Sequence, residues 1–395
     1  MRILIISTQL PYPLTEGANI RIFNLIKQLS KDHEIHLASF IKSPKELDHA
    51  QSLQPYCKKV KLIEMNRSPL KRLWQIGISS IISKPYLVKI NELKEMQNAV
   101  NELAREVDAV QAEFPYGGQY IENVKCKRVL DEHNVESEIL RNQFRYERNI
   151  CRKASSFLQY LKMLNFEKKL CSKMDIILAT SEEDKHILER SNEKVFVVPN
   201  GIESTIEQAE DRGNKVVTYT GVMSYRANVD AMLFFCKNMW PLVKREEADA
   251  KLVIVGKNPT KEIMGLASDD VMVTGEVRDI REYIRQTSVF VAPLRIGSGT
   301  RIKILEAMAH GKPVVSTKLG CMGLDVEQGK NIYIADDPQE FANYVTRLLR
   351  EKDERIRIAK NSLELVKEKY TWDVISKKLE EVYKSGNQSG NNRKK

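Results

Sequence analysis

Short apolar runs alternate with amphipathic stretches along the whole chain. The first run, Arg2-Ile3-Leu4-Ile5-Ile6-Ser7, is nearly continuous and β-branched, as a strand buried on both faces requires. A loop marked by Pro11, Pro13 and Gly17 follows, then helical spacing from 20 to 29. Residues 34–40, 60–65, 108–113, 127–131, 176–181 and 195–198 read as further strands, 114–118 as loop, and 155–173 as a long amphipathic helix. After a polar, loop-like stretch at 203–214 the pattern restarts. Strands are expected at 216–221, 252–256, 271–274, 289–292, 314–317 and 331–335, with helices at 230–240, 279–287, 302–309 and 338–350. Residues 353–369 are helical and highly charged, and 372–383 form a last amphipathic helix. Residues 386–395 are rich in Gly, Asn and Ser and basic, the composition of a disordered tail. Strand–helix alternation in both halves predicts an α/β protein with two doubly wound parallel sheets.

Residues 289–317 concentrate the candidate chemistry. Val289-Phe290-Val291-Ala292 is a buried strand stopped by Pro293. Gly297-Ser298-Gly299-Thr300 is a small-residue turn in which Ser298 or Thr300 can cap the next helix. Ile302, Leu305, Met308 and Ala309 are expected on one face of that helix, which Gly311 and Pro313 end. Backbone N–H groups at a glycine turn and a helix N-terminus bind anions. Arg301 and Lys303 put positive charge where the helix dipole favours acid, so a negative ligand is expected to compensate. Glu306, one turn after Lys303, can accept hydrogen bonds from two neighbouring hydroxyls such as those of a ribose. Phosphate plus diol describes a nucleotide; the alternative is a tight turn before a solvated helix face. Spacing excludes three other motifs. The dinucleotide fingerprint lacks its third glycine at Ile302. A P-loop would need glycine at Glu306 and Ser or Thr at Pro313. Ser298 follows Ile296 two positions on, so it is no nucleophile elbow.

The 395 residues suffice for two domains, and 42% hydrophobic with 29% charged residues is ordinary for a soluble protein. Six scattered cysteines without a CxxC pair, and six histidines without an HExxH cluster, suggest neither a metal site nor a disulfide framework, and point to a reducing compartment. A net charge of +10 fits nucleic acid, an anionic membrane or phosphorylated substrates. The first of these is disfavoured because no nucleic-acid-binding motif is present. The apolar run after Arg2 breaks at Pro11 and reads as a strand, not a signal peptide. Residues 70–89 carry Leu73, Trp74, Ile76, Ile78, Ile81 and Ile82 between Lys71, Arg72, Lys84 and Lys89. That pattern suits either a helix packed on the sheet or an in-plane helix on an anionic membrane. Asp131-Glu132-His133-Asn134 puts a histidine and two acids at the carboxyl end of a strand, where α/β sheets bind ligands.

Residues 303–317, Val198-Pro199-Asn200-Gly201-Ile202, Tyr219-Thr220-Gly221-Val222-Met223, 131–134 and Tyr370-Thr371-Trp372 resemble the retaining GT-B glycosyltransferases of glycosyltransferase family 4, the "glycosyl transferases group 1" proteins. The resemblance implies two Rossmann-like domains facing a central cleft: an acceptor domain at 1–200, a nucleotide-sugar donor domain at 201–371, a helix at 372–385 crossing back to the first domain, and the tail. It implies retaining, metal-independent transfer of a sugar from a UDP- or GDP-type donor to a hydroxyl acceptor. No cofactor is implied. The setting would be cell-surface polysaccharide or glycolipid synthesis, in the cytoplasm or peripheral on the inner face of the membrane, with a saccharide or lipid-linked acceptor.

By the same resemblance Glu306 matches the second glutamate of an E-x7-E motif and binds the donor ribose. Backbone N–H groups of Gly299, Thr300, Arg301 and Ile302 meet the diphosphate, His133 lines the donor sugar, and Gly17 belongs to the glycine loop of the first domain. The chain departs from the pattern at Ser298, where the first glutamate is expected. It departs again after Gly221, where Val222 and Asn228 occupy the places of a cationic pair. Arg301 and Lys303 are the expected replacements, with Arg226, Arg295 and the Gly297 turn beside them. A catalytically inactive relic that binds nucleotides or phosphosugars, and an epimerase or trehalose-phosphate-synthase-like enzyme, are alternatives on the same fold.

Overall fold

The computed structural model describes residues 1–14, 16–65, 83–147, 149–203, 213–297 and 301–388. They form two compact units, Met1–Pro199 with Ile375–Lys395, and Asn200–Val374.

The first unit is a seven-stranded, all-parallel sheet. Its strands are β1 (Arg2–Ser7), β2 (Glu34–Ile41), β3 (Lys59–Glu64), β4 (Ala109–Glu113), β5 (Lys127–Glu132), β6 (Ile176–Ala179) and β7 (Val195–Val197), in the order β3-β2-β1-β4-β5-β6-β7. The central strands are apolar on both faces because helices cover both sides of a parallel sheet. The order reverses at β1, which pairs with β2 on one side and β4 on the other. The carboxyl ends beside that switch are where such sheets present ligand-binding loops. Helix α1 (Gly17–Leu29) follows β1. Helices α2 (Glu136–Tyr146) and α3 (Ile150–Cys171) follow β5 as a hairpin.

The second unit is a six-stranded parallel sheet, ordered β10-β9-β8-β11-β12-β13. Its strands are β8 (Val216–Thr220), β9 (Lys251–Val255), β10 (Val271–Val273), β11 (Val289–Ala292), β12 (Val314–Ser316) and β13 (Tyr333–Ile334). Helix α4 (Arg226–Asn238) follows β8, and α5 (Ile302–Ala309) connects β11 to β12. The core gathers Tyr219, Phe235, Leu252, Ile254, Val289 and Phe341. Helix α6 (Trp372–Gln388) starts in this unit and ends in the first.

The sequence pattern misplaces several elements. Residues 114–118 are a helical turn, Phe114–Gly118, because Pro115 occupies a first-turn position where its missing N–H costs nothing. Pro241 likewise opens a second helix, Trp240–Glu246, instead of only ending the one before it. Helix α5 is apolar nearly all round: Ile304, Leu305, Ala307, Met308 and Ala309 are buried, whereas Ile302 is only half-buried. Neither Ser298 nor Thr300 can be assigned as its cap, since 298–300 lie outside the described residues, and Arg301 holds the cap position without a side-chain cap bond. The helix expected to end at 383 runs to Gln388, so residues 386–388 belong to it; 389–395 lie outside the described residues. Most of the 70–89 segment, Trp74 included, also lies outside them. Of its flanks, Lys84 and Lys89 both pair with Glu92. Among the described residues no helix is long and apolar enough to cross a membrane.

Three carboxyls are enclosed where the α2–α3 hairpin meets β5. Neither oxygen of Glu132 has a hydrogen-bond partner among the described residues, and burial pushes its carboxyl well above the usual range. Burial raises Glu136 to about 7 and Glu167 to about 8, the latter against hydrogen bonds from Ser137.

Candidate functional site

In the second unit the carboxyl ends of β8 and β9 converge on two glycines. Gly256 has φ +149°, and a Cβ there would lie 1.7 Å from the carbonyl oxygen of Gly221. Only glycine permits that approach. It also leaves room beside Gly221, where a Cβ would come within 2.6 Å of Asn228 Nδ2 and 2.9 Å of Lys303 Nζ.

Lys303, from the first turn of α5, donates to Tyr219 Oη at 2.9 Å and to Asn228 Oδ1 at 3.0 Å. Tyr219 Oη donates in turn to Asn228 Oδ1 at 2.6 Å, and Asn228 Nδ2 donates to the Val222 carbonyl at 2.9 Å. These contacts fix the asparagine amide so that its oxygen faces the ammonium. Among the described residues the ammonium therefore rests on neutral oxygens and is paired with no carboxylate. Burial, and secondarily the charge of Arg301, lower Lys303 to about 7. Burial raises Glu306 to about 7, against the pull of Lys303 and Arg281. Burial also lowers the Arg301 guanidinium from its usual value, though an arginine remains a cation at neutral pH. Desolvated cations near a half-ionised carboxyl suit an incoming anion, whose charge would offset their burial.

The structure brings Gly221, Asn228 and Lys303 together, with Arg301 and Gly297 alongside: Gly297 has φ +119°, and a Cβ there would lie 2.8 Å from Arg301 Nη2. Ile302 is the first residue of α5. Arg295 is committed elsewhere. Its guanidinium pairs with Asp230 through two bonds of 3.1 and 2.7 Å and lies 3.8 Å from the Phe234 ring centroid. Arg226 is exposed at the start of α4. Ser298, Gly299 and Thr300 lie outside the described residues. Sequence reasoning quoted Tyr219 beside the Gly221 turn but gave its hydroxyl no role. Its signal was a phenol in an otherwise aliphatic and threonine-bearing strand, next to the glycine turn.

The first unit has its own buried polar network. Parallel pairing sets Glu113 of β4 opposite Asp131 of β5. Glu113 Oε2 accepts from His133 Nε2 at 2.6 Å, and Glu113 Oε1 accepts from Gln111 Nε2 at 2.6 Å. Gln111 Oε1 accepts from Tyr383 Oη of α6 at 2.6 Å. Burial and Asp131 raise the Glu113 carboxyl, and the bond to His133 opposes them. The Phe114 ring lies 4.1 Å from the imidazole, on a backbone with φ +64° that a phenylalanine adopts only at a cost of about 1–3 kcal/mol. Gly17 is the exposed first residue of α1, and one turn on, Arg21 forms a bidentate pair with Asp131 at 2.9 and 2.8 Å. Arg21 thus clamps the carboxyl end of β5.

Glu113, Asp131 and His133 offer ligand atoms within 4.8 Å of one another, a spacing a metal ion could bridge. The chemistry fits poorly. Both Asp131 oxygens accept from a guanidinium, whose charge repels a cation, and Glu113 already holds His133. The cluster is better described as an oriented histidine than as a metal cage.

Comparison with known proteins agrees with this architecture. Residues 214–351 match the family model described as "Glycosyl transferases group 1". The chain is 24% identical over 390 residues to an uncharacterized 44.6 kDa protein in the cps region of Klebsiella pneumoniae, spanning 93% of this chain and 96% of that one. It is 25% identical over 306 residues to lipopolysaccharide 1,2-N-acetylglucosaminetransferase of Salmonella typhimurium, spanning 69% of this chain and 78% of that enzyme. The crystal structure of Anabaena Alr3699/HepE in complex with UDP superposes with a TM-score of 0.70 at 15% identity, covering 98% of this chain and 100% of that one. The fold is therefore GT-B. With a group 1 domain in the second unit, fold and domain match together support a GT-B glycosyltransferase.

Proposed function

We propose that this protein is a retaining glycosyltransferase that moves a sugar from a nucleotide-diphosphate donor to a hydroxyl of a saccharide or lipid-linked acceptor, in the synthesis of a surface polysaccharide or glycolipid. The observation that carries the reading is the desolvated Lys303 ammonium, held by Tyr219 and Asn228 at the Gly221 turn, inside the part of the chain that matches glycosyl transferases. Lys303 and Arg301 neutralise the departing diphosphate, a duty that preorganised cations perform without waiting for solvent to reorganise. Glu306 accepts from the ribose diol. The leaving phosphate takes the acceptor's proton on the face it departs from, so no side-chain nucleophile is needed, and Lys303, Arg301 and the α5 helix dipole take the place of a metal on the diphosphate. The UDP bound by Anabaena Alr3699/HepE and the acetylglucosaminyl transfer named for the Salmonella relative favour a UDP-sugar donor.

Incubating the protein with UDP- and GDP-sugars and following release of the nucleoside diphosphate by mass spectrometry tests this. One donor class is expected to be cleaved slowly to sugar and nucleoside diphosphate in the absence of acceptor. Binding of a donor without any release would favour an inactive relic.

His133 is assigned to the reacting sugar, with Glu113 as its positioning residue. Glu113→Gln is expected to lower kcat about 10–100-fold and to shift the pH–rate profile, with KM for the donor changed less than threefold. An unaltered profile with only a lower melting temperature would reduce Glu113 to a structural role.

A further inference from the structure

Helix α3 presents an apolar row to solvent. Ile150, Phe157, Leu158, Leu161 and Leu164 are 81%, 42%, 41%, 44% and 40% exposed. They recur at helical spacing on one side, while Ser156, Met163, Glu167 and Leu170, opposite, are buried against the first unit. The helix is thus anchored by one face and carries a second apolar face, at whose Phe157 end the Phe144 ring of α2 lies 5.0 Å away and along which Leu161 and Leu164 stay exposed. Isolated exposed leucines need no explanation, but a row of five large side chains over about four turns does.

The charge around the row selects its occupant. Over its 22 residues α3 carries Arg152, Lys153, Lys162, Lys168 and Lys169 against one acid, Glu167. That acid lies on the buried face, and burial raises it to about 8, so it is largely neutral at physiological pH. Lys162 and Lys169 follow one edge of the row and Lys153 the other, where its ammonium lies 5.4 Å from the Phe144 ring centroid. An apolar strip edged by cations, on a helix too polar to cross a bilayer, matches the interface of an anionic membrane: side chains enter the acyl boundary while lysine stems reach outward to the headgroups.

The geometry points to α3 as an in-plane docking surface for anionic phospholipid, seated through Phe157, Leu161 and Leu164 and steered by the lysines beside them. This surface is separate from the 70–89 segment. The proposal stands on α3 itself; the sugar-transfer reading enters only in that a lipid-linked acceptor would then lie in the same membrane.

The test is flotation of the full chain with phosphatidylcholine vesicles, with and without phosphatidylglycerol, beside UDP affinity by calorimetry. Wild type is expected to float with the anionic vesicles and to be released by high salt. Leu161→Gln/Leu164→Gln and Lys162→Glu/Lys169→Glu are each expected to cut partitioning at least about tenfold. The leucine pair should leave melting temperature unchanged, because both side chains are exposed, and both pairs should leave UDP affinity unchanged, because they belong to a different unit from Lys303. Three results would overturn the proposal: no flotation of wild type, flotation that depends on Trp74 but not on the α3 pairs, or a soluble dimer that Leu161→Gln/Leu164→Gln converts to monomer without any vesicle binding. UDP binding that fails while flotation succeeds would count against the sugar-transfer reading alone.

Discussion

Lys303→Met is expected to lower kcat/KM for sugar transfer about 10²–10³-fold, the loss typical when a preorganised stabiliser of developing negative charge is removed. The variant should fold as well as wild type or better. Methionine fills similar volume, and the substitution removes the cost of keeping an ammonium among Tyr219, Asn228 and Arg301, which already lowers Lys303 to about 7. A normal melting curve with lost transfer would therefore isolate the charge. The same depressed value dictates a pH signature. Above about 7 the free site loses the Lys303 proton, and a bound diphosphate draws it back, so affinity for UDP should fall as pH rises. Below about 7 Glu306 gains a proton and can no longer accept from both ribose hydroxyls. Wild-type affinity is thus expected to peak near neutrality and fall up to about tenfold per pH unit on each side. Lys303→Met should flatten the alkaline limb and Glu306→Gln the acid one. Calorimetry in buffers of different ionisation enthalpy would register proton uptake on binding. An alkaline limb that persists in Lys303→Met would assign the titration to a group other than Lys303.

Gly256→Ala is expected to disrupt the second unit. The position has φ +149°, and the added methyl would sit 1.7 Å from the Gly221 carbonyl oxygen, a backbone atom with no rotamer to escape into. Relief requires the ends of β8 and β9 to part by more than 1 Å, breaking the bond from Gly221 N–H to the Val255 carbonyl. Backbone strain and displaced packing together cost more than about 3 kcal/mol, a fall in melting temperature of about 6–12 °C for a domain of this size. Gly221 shares the same turn, so donor affinity should fall with stability. A melting temperature within about 2 °C of wild type would show that the two strand ends separate readily.

The parallel strands were legible in the sequence because burial on both faces produces short continuous apolar runs, and Val289–Ala292 has the bounds its pattern predicts. Loops containing proline and glycine were misread where proline opened a helical turn, at Pro115 and Pro241: composition alone does not say on which side of a proline the helix lies. The grouping of Asn228 with Lys303 spans 75 positions and depends on β8 and β11 being neighbours, so the sequence could name the residues but not the ammonium's acceptors. Glu113 carried a signal that could have been used. Gln111 and Glu113 alternate within a strand otherwise made of Ala and Val, which puts two polar side chains on one buried face. Their link to Tyr383, 272 positions away from Gln111, had no local trace.

That last link gives the order of synthesis a physical role. The chain leaves the first unit at Pro199 and re-enters it at Ile375, so a ribosome completes the whole second unit before supplying the phenol that caps the Gln111–Glu113–His133 relay. The N-terminal sheet can assemble early, since its strands are translated together, but its histidine acquires its full set of supports only when α6 emerges. A nascent or prematurely released chain would carry the sheet without the finished network, which ties the ordering of that histidine to completion of translation.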